Sequence, residues 1–110
     1  MPTFQDRERA FEAKYVHDED LRFRINARRD KLFAQQAAGQ LELSASATAA
    51  LVTAVLAIRD GPGHDDLLLR YVTDVFAEHG RADATDGLHA SLDLCGEQAK
   101  QQLSGHPYSN

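Results

Sequence analysis

The first 38 residues carry an apolar stripe that fits one unusually long helix. Its apolar side chains recur at steps of 7, 4, 6, 4 and 7 residues, which keeps them near one side of a helix: Phe4, Phe11, Tyr15, Leu21, Ile25 and Leu32. Thr3 is a suitable N-cap and Gly39 a suitable stop. A helix over residues 4–38 would be about 50 Å long. We expect its first half to project from the domain or to be disordered, because the other helical stretches are roughly half that length.

Three shorter helical stretches follow. The second starts at Ser44 or Ser46 as N-cap and stops at the Asp60-Gly61-Pro62-Gly63 turn. The third covers residues 64–79, and the fourth starts at Asp83. No stretch alternates apolar and polar residues as a half-buried strand does. Since short connections place neighbouring helices antiparallel, the pattern predicts an all-α fold, a small four-helix bundle. The fourth stretch has apolar steps of 4, 3, 4 and 4: Leu88, Leu92, Cys95, Ala99 and Leu103.

Charge divides the chain into two unlike parts. Residues 1–33 hold eight basic and seven acidic residues, for a net charge of +1, whereas the remaining 77 residues carry −6. At 110 residues the chain has the size of a single domain. We predict a partner-binding segment over residues 1–20, a bundle over residues 21–104 and a polar tail over residues 105–110.

Composition argues against several function classes. The net charge of −5 disfavours nucleic acid as a partner, and no run of about 18 apolar residues predicts membrane insertion. Without an apolar leader at the N-terminus, and with Cys95 as the single cysteine, the chain reads as a cytoplasmic protein. No catalytic triad, phosphate loop or paired cysteine motif is found, so we expect no enzyme activity, no metal and no cofactor.

Opposite charges at helical spacing support only the later part of the first helix. Asp18 lies four residues before Arg22, and Asp20 four before Arg24. The preceding residues have no such ladder but keep three aromatic side chains, those of Phe4, Phe11 and Tyr15. We interpret these first residues as a partner-binding tip, with a merely frayed helix end as the alternative.

Three blocks of the sequence form recognisable motifs. The N-terminal motif reads Phe4-x-x-Arg7-Glu8-x-Ala10-x-Glu12-x-Lys14-Tyr15, then Asp18-Glu19-Asp20, Phe23-Arg24 and Ala27-Arg28-Arg29-Asp30-Lys31-Leu32. The later blocks are Gly63-His64-Asp65-Asp66 and the closing helix from Leu92 to Leu103. These motifs resemble those of the ζ subunit family of α-proteobacterial F-type ATP synthases. The resemblance covers essentially the whole chain, and its N-terminal motif is long and specific.

This resemblance implies a function and a partner. The family fold is a four-helix bundle, and the family inhibits ATP hydrolysis by the synthase. Its N-terminal segment folds as a helix in a catalytic α/β interface and blocks rotation. The partners implied are the catalytic α/β subunits and the rotor of the synthase. We expect this chain to be a monomer that lies peripherally at the inner membrane when it is bound to the synthase. Carried over to this chain, the contacting residues are Phe4, Arg7, Glu8, Arg9, Phe11, Glu12, Lys14 and Tyr15.

The chain departs from the family pattern at two positions. Gln36 precedes Ala37-Ala38 where the family has a Trp-Ala-Ala segment, and Glu42 stands where the family has a glycine. Both positions concern the bundle rather than the N-terminal segment.

Three further groups of residues permit a second interpretation. His17, beside Asp18-Glu19-Asp20, is a candidate pH switch, although an exposed histidine in a charged face is favoured. The His64-Asp65-Asp66 run could offer metal ligands, although a helix start with carboxylates at its positive end is favoured. A basic cluster could bind an anion such as adenine nucleotide, although an ionic face is favoured: Arg24, Arg28, Arg29 and Lys31. If the basic cluster binds nucleotide, the chain would be a nucleotide sensor. The remaining alternative is a helical adaptor, and neither alternative has inhibitory activity.

Overall fold

A computed structural model describes the backbone of residues 4–104 and the side chains of residues 19–103. Within this range the chain forms four α-helices and no strand, so the predicted all-α four-helix fold is confirmed. The predicted tail, residues 105–110, lies outside the described residues. The helices are α1 (Phe4–Gln40), α2 (Ala45–Leu56), α3 (His64–Glu78) and α4 (Leu88–Ser104), with one 3-10 turn at Ala82–Ala84.

Helix α1 ends at Gln40, and the left-handed residue that closes it is Glu42 rather than Gly39. Glu42 adopts a left-handed backbone with φ of 55°, whereas Gly39 stays helical. The Leu43 amide donates to the Ala38 carbonyl at 3.0 Å and the Glu42 amide to the Gly39 carbonyl at 3.2 Å. These two bonds form a Schellman motif, in which the left-handed residue is usually glycine. The prediction of Gly39 as the stop was therefore wrong by three residues.

Helix α2 begins at the first of its two predicted caps. The Ser44 hydroxyl accepts a hydrogen bond from the Ala47 amide at 3.1 Å, which satisfies one of the free donors at the helix start. The helix ends at Leu56, earlier than predicted, and Ile58 follows in a turn while still packing against the core. Gly61 and Gly63, with φ of 104° and 83°, then reverse the chain into α3.

Helix α3 starts and ends where the sequence predicts. His64 is its first residue, and Gly80, with φ of 71°, closes it in a second Schellman motif. In that motif the Arg81 amide donates to the Phe76 carbonyl at 2.8 Å.

The predicted start of the fourth helix at Asp83 was wrong. Residues 82–84 form the 3-10 turn, and α4 begins only at Leu88. The Thr85 hydroxyl donates to the Ala82 carbonyl at 2.9 Å, and the Ala84 amide donates to the Arg81 carbonyl at 3.0 Å. Such local bonds offer the backbone an alternative to the helix.

The core lies between α1 and the other helices. Helix α1 packs mainly along α4 and α2. Contacts of Arg28 with Gln102 and of Gln36 with Ser91 show that α1 and α4 are antiparallel. The core residues are Phe33, Ala34, Ala37, Ala38, Leu51, Val55, Leu68, Val72, Phe76, Leu88, Leu92, Cys95 and Ala99.

The part of α1 before this core is mostly exposed. We refer to residues 19–29 as the stem; none of its side chains is fully buried. Phe23 is 58% exposed, while Leu21 and Ile25 are half-buried. The side chains of residues 1–18, and with them the predicted projection of this segment, lie outside the described residues. The stripe also needs one correction, because Phe33 rather than Leu32 is its buried residue near the bundle.

Candidate functional site

All the residues predicted to contact a partner belong to the first part of the chain. Their side chains, like that of the candidate pH switch His17, lie outside the described residues. The backbone of α1 is helical from Phe4 onward, in agreement with the predicted helix start. The described part of the candidate site is the stem, residues 19–29, together with the side chains that contact it.

Exposed ion pairs run along the stem. Asp20 lies 3.6 Å from Arg24, which confirms the predicted pair four residues apart. Arg22 pairs with Glu19 at 3.3 Å. The partner predicted for Arg22 was Asp18, whose side chain lies outside the described residues. Exposed pairs of this kind contribute at most about 0.5 kcal/mol each. These ion pairs stabilise the helix weakly, and the side chains that form them remain exposed.

The four basic residues of the candidate anion site contact different neighbours. Arg24 pairs with Asp20, whereas Arg28 donates from Nε to Gln102 Oε1 at 2.7 Å on the α4 side. Lys31 lines a shallow groove beside α2. Arg29 is held by two carboxylates, as described next. The four cationic groups do not converge on one point.

A charged cluster fixes the end of the stem to the start of α3. We use this name for Arg29, Asp30, His64 and Asp65. The Arg29 guanidinium lies 2.8 Å from Asp65 Oδ1 through Nη2 and 2.9 Å from Asp30 Oδ1 through Nε. Burial opposes the charge on Arg29, but the hydrogen bond to Asp65 and the charge of Asp30 raise its pKa. The guanidinium therefore remains charged and joins two elements.

Asp30 is the buried member of the charged cluster. It is 4% exposed, and its Oδ2 lies 2.7 Å from His64 Nε2. Burying a carboxylate is costly unless it is paired and hydrogen-bonded, and both oxygens of Asp30 are engaged. His64 in turn places Nδ1 at 2.8 Å from the Arg59 carbonyl. Burial lowers the pKa of His64, but the bonds to Arg59 and Asp30 outweigh it and raise the pKa above 6.5.

The run His64-Asp65-Asp66 combines two roles. Asp65 and Asp66 occupy the first turn of α3, as the favoured interpretation requires. Sequence reasoning missed that His64 points back to Asp30 on α1. No group of three potential metal ligands exists among the described side chains.

An open groove lies beside the charged cluster. Its lining includes Phe23, Asn26 and Arg29 from α1 and His64 and Asp65 from α3, around about 540 Å³. The exposed ring of Phe23 stands at its edge, so the stem presents an aromatic side chain next to alternating charges.

The described chain forms four helices around one core, and the first buried side chain of α1 among residues 19–103 is that of Asp30. This arrangement defines an all-α protein of the four-helix class. The family model described as ATPase inhibitor subunit zeta matches residues 1–102, and the chain belongs to that family. Comparison with curated proteins and with solved structures finds no match. The resemblance in the sequence motifs is thereby confirmed, and the family points to an inhibitory role at an ATP synthase.

Proposed function

We propose that this chain inhibits ATP hydrolysis by an F-type ATP synthase, with residues 1–20 bound as a helix in a catalytic α/β interface. The observation that carries this proposal is the family match, which includes the entire N-terminal segment. The length of α1 supports the proposal. The helix begins at Phe4, and its first buried side chain among those described is that of Asp30. At 1.5 Å per residue this leaves about 40 Å of helix before the core.

The segment would bind by laying one helix face in a groove. Phe4, Phe11 and Tyr15 would be the apolar anchors, since aromatic side chains dominate the energy of many interfaces. Ordering a segment on binding costs about 2–5 kcal/mol, and one buried aromatic anchor is worth about 2 kcal/mol or more. Two or three anchors therefore offset the cost. The polar contacts would come from Arg7, Glu8, Arg9, Glu12 and Lys14.

Inhibition would follow from geometry rather than from chemistry. A helix wedged between the catalytic α and β subunits opposes the closure of that interface and stops the rotor in the hydrolytic direction. We propose that one copy of the chain acts as a monomer in the cytoplasm, at the synthase on the inner membrane. None of the helices in the described part of the chain combines the length and the apolarity needed to cross a membrane.

The test is ATP hydrolysis by the cognate synthase with added full-length chain and with the chain lacking residues 1–18. The core residues all lie after position 29, so the shortened chain keeps them, and circular dichroism checks its fold. We expect the shortened chain to lose inhibition. Full inhibition by a folded shortened chain would contradict the proposed mechanism.

Point variants sharpen this test. Phe11→Ala should weaken inhibition about 30-fold, the equivalent of about 2 kcal/mol. Phe23→Ala is the matched control, because Phe23 is an exposed aromatic of the same helix outside residues 1–20. Equal effects of the two substitutions would place the contact on the stem instead.

His17→Gln assayed at pH 6 and pH 8 tests the candidate pH switch. If His17 is the switch, inhibition by the variant should depend less on pH than inhibition by the unmodified chain.

The alternative function, a nucleotide sensor or adaptor, stays a prediction. Its basic residues are engaged by Asp20, Gln102 and the charged cluster, which does not favour a shared anion site. Titration of the chain with ATP or ADP, followed through the amide chemical shifts of residues 22–31, tests it. Unchanged shifts would end the nucleotide hypothesis, and capture of proteins other than synthase subunits would favour the adaptor.

A further inference from the structure

The first buried side chain of α1 among the described residues is a carboxylate. Asp30 is 4% exposed and three residues before Phe33, the first apolar core residue of the helix. The first buried contact at the end of the stem is therefore made by a charged group. Removing one partner from a buried pair is costly because it leaves the other charge uncompensated. The strength of this attachment depends on the state of the partner, His64.

Both ring nitrogens of His64 face acceptors. Nε2 lies 2.7 Å from Asp30 Oδ2, and Nδ1 lies 2.8 Å from the Arg59 carbonyl oxygen. A neutral imidazole has one N–H and one lone pair, so it can satisfy only one of these acceptors. The imidazolium donates to both. The geometry thus fits the protonated ring, independently of any charge nearby.

Charged groups surround the His64 ring on α1, on the turn before α3 and on α3 itself. From α1, Arg29 and Asp30 face it; from the turn before α3, Arg59 contributes its carbonyl and Asp60 lines the same groove. From α3, Asp65 is bound to Arg29, and Asp66 follows it in the first turn. Helix α2 has no charged residue, and α4 contributes the buried thiol of Cys95 near Arg29. With the ring protonated the charged cluster is neutral, and with the ring neutral it carries one negative charge.

We propose that His64 and Asp30 form a proton-dependent latch that fixes the stem of α1 to the start of α3. The latch is closed when the ring is protonated, and it is weakened when the ring loses its proton. It is a property of this fold and does not depend on the proposed inhibitory role.

The direction of the pH dependence follows from the contacts. The bonds to Arg59 and Asp30 raise the pKa of His64 in the folded chain above the value of 6.5 expected when unfolded. The stabilisation is therefore fully present below pH 6.5 and is lost as the pH rises through the folded-state pKa. Acid closes the latch, and a rise in pH through the folded-state pKa weakens it.

The first test is an NMR titration of the histidine rings in the full chain. We expect His64 to titrate above pH 6.5, and Asp30→Asn to shift its pKa downward, because the opposite charge is gone. A His64 pKa at or below 6.5 in the unmodified chain would overturn the proposal, as would an unchanged pKa in the Asp30→Asn chain. The unmodified chain suffices for the first criterion even where the variant folds poorly.

The second test compares thermal unfolding between pH 6 and pH 8. The unmodified chain should lose about 4 °C more in Tm over this range than the His64→Gln chain. His89→Gln is the matched control, because His89 pairs with Asp93 at 3.5 Å on the exposed side of α4. Hydrogen exchange of the amides in residues 24–33 should show protection that falls about tenfold with pH only where His64 is present. Identical pH profiles for the unmodified and His64→Gln chains would contradict the latch.

Discussion

Glu42 and Gly80 occupy the same left-handed position at the ends of two helices, α1 and α3. Their φ angles are 55° and 71°, and each donates its amide to the carbonyl three residues earlier. A side chain with a β-carbon costs about 1 kcal/mol or more in this conformation, and glycine avoids that cost. We therefore expect Glu42→Gly to raise the free energy of unfolding by about 1 kcal/mol, measured by urea denaturation.

Two further variants make this prediction specific. Glu42→Ala keeps the β-carbon and should leave the stability nearly unchanged. Gly80→Ala should lower the free energy of unfolding by about 1 kcal/mol, through the backbone alone, because an added β-carbon at Gly80 meets no atom within 4 Å. A gain from Glu42→Ala as large as that from Glu42→Gly would show that the glutamate side chain, rather than its backbone, is unfavourable.

Two phenylalanines on α1 should differ strongly in their contribution to stability. Phe33 is 1% exposed within the core, and Phe23 is 58% exposed on the stem. Phe33→Ala should cost about 3–5 kcal/mol because it removes buried contacts and leaves a cavity. Phe23→Ala should change the free energy of unfolding by less than about 0.5 kcal/mol. Chemical denaturation of both variants checks this, and similar losses would mean that the stem is packed in solution.

Two arginines on the same helix provide a second matched pair. Arg29 bonds to Asp30 and Asp65 and shields a buried carboxylate, whereas Arg24 forms one exposed pair with Asp20. We expect Arg29→Gln to lower the stability by about 1.5–3 kcal/mol, the range for hydrogen bonds to charged groups. Arg24→Gln should cost about 0.5 kcal/mol or less. Denaturation at neutral pH measures both, and a small loss for Arg29→Gln would indicate that water replaces its contacts.

Cys95 should be unreactive in the folded chain. Its thiol is 2% exposed; burial raises its pKa, although the charge of Arg29 acts in the opposite direction. Because the thiolate is the reactive form, modification by an aromatic disulfide reagent at pH 8 should be about 100-fold slower than in urea, equivalent to an opening free energy of about 2.8 kcal/mol.

A control on the same helix tests accessibility. A chain carrying Leu94→Cys and Cys95→Ala places the thiol at a position where the native side chain is 64% exposed. This thiol should react nearly as fast as in urea. Rapid modification of native Cys95 would show that α4 separates readily from α1.

The spacing of apolar residues was sufficient to predict the four helices. Within each helical segment, the residues that pack on the core recur at helical spacing. The helix ends that glycine and serine define were also predictable, as Ser44 and Gly80 show. Three other ends were not, and one of them is the end of α2, which comes at Leu56 before the predicted turn. The end of α1 uses a glutamate in a glycine position, and the start of α4 is displaced by the hydroxyl of Thr85 bonding backward to Ala82.

Sequence spacing did not reveal the charged cluster because its two halves, one on α1 and one at the start of α3, are 34 to 36 positions apart. One signal was available: Asp30 precedes Phe33 by three residues and Ala37 by seven, so it lies on the core side of α1. A carboxylate at such a position needs a partner, but spacing within one helix does not identify which residue supplies it. The contacts of Phe4, Phe11 and Tyr15 remain predictions from the resemblance.

The antiparallel packing of α1 against α4 has a consequence for synthesis on the ribosome. The helix made first buries its core residues largely against the helix made last among those described. Because long-range contacts must wait for both segments, the apolar side of α1 stays without this partner until residues 88–104 have left the ribosome. The core of the described residues therefore closes only after α4 has been synthesised, and a nascent chain arrested before α4 exposes Phe33 and its alanine neighbours.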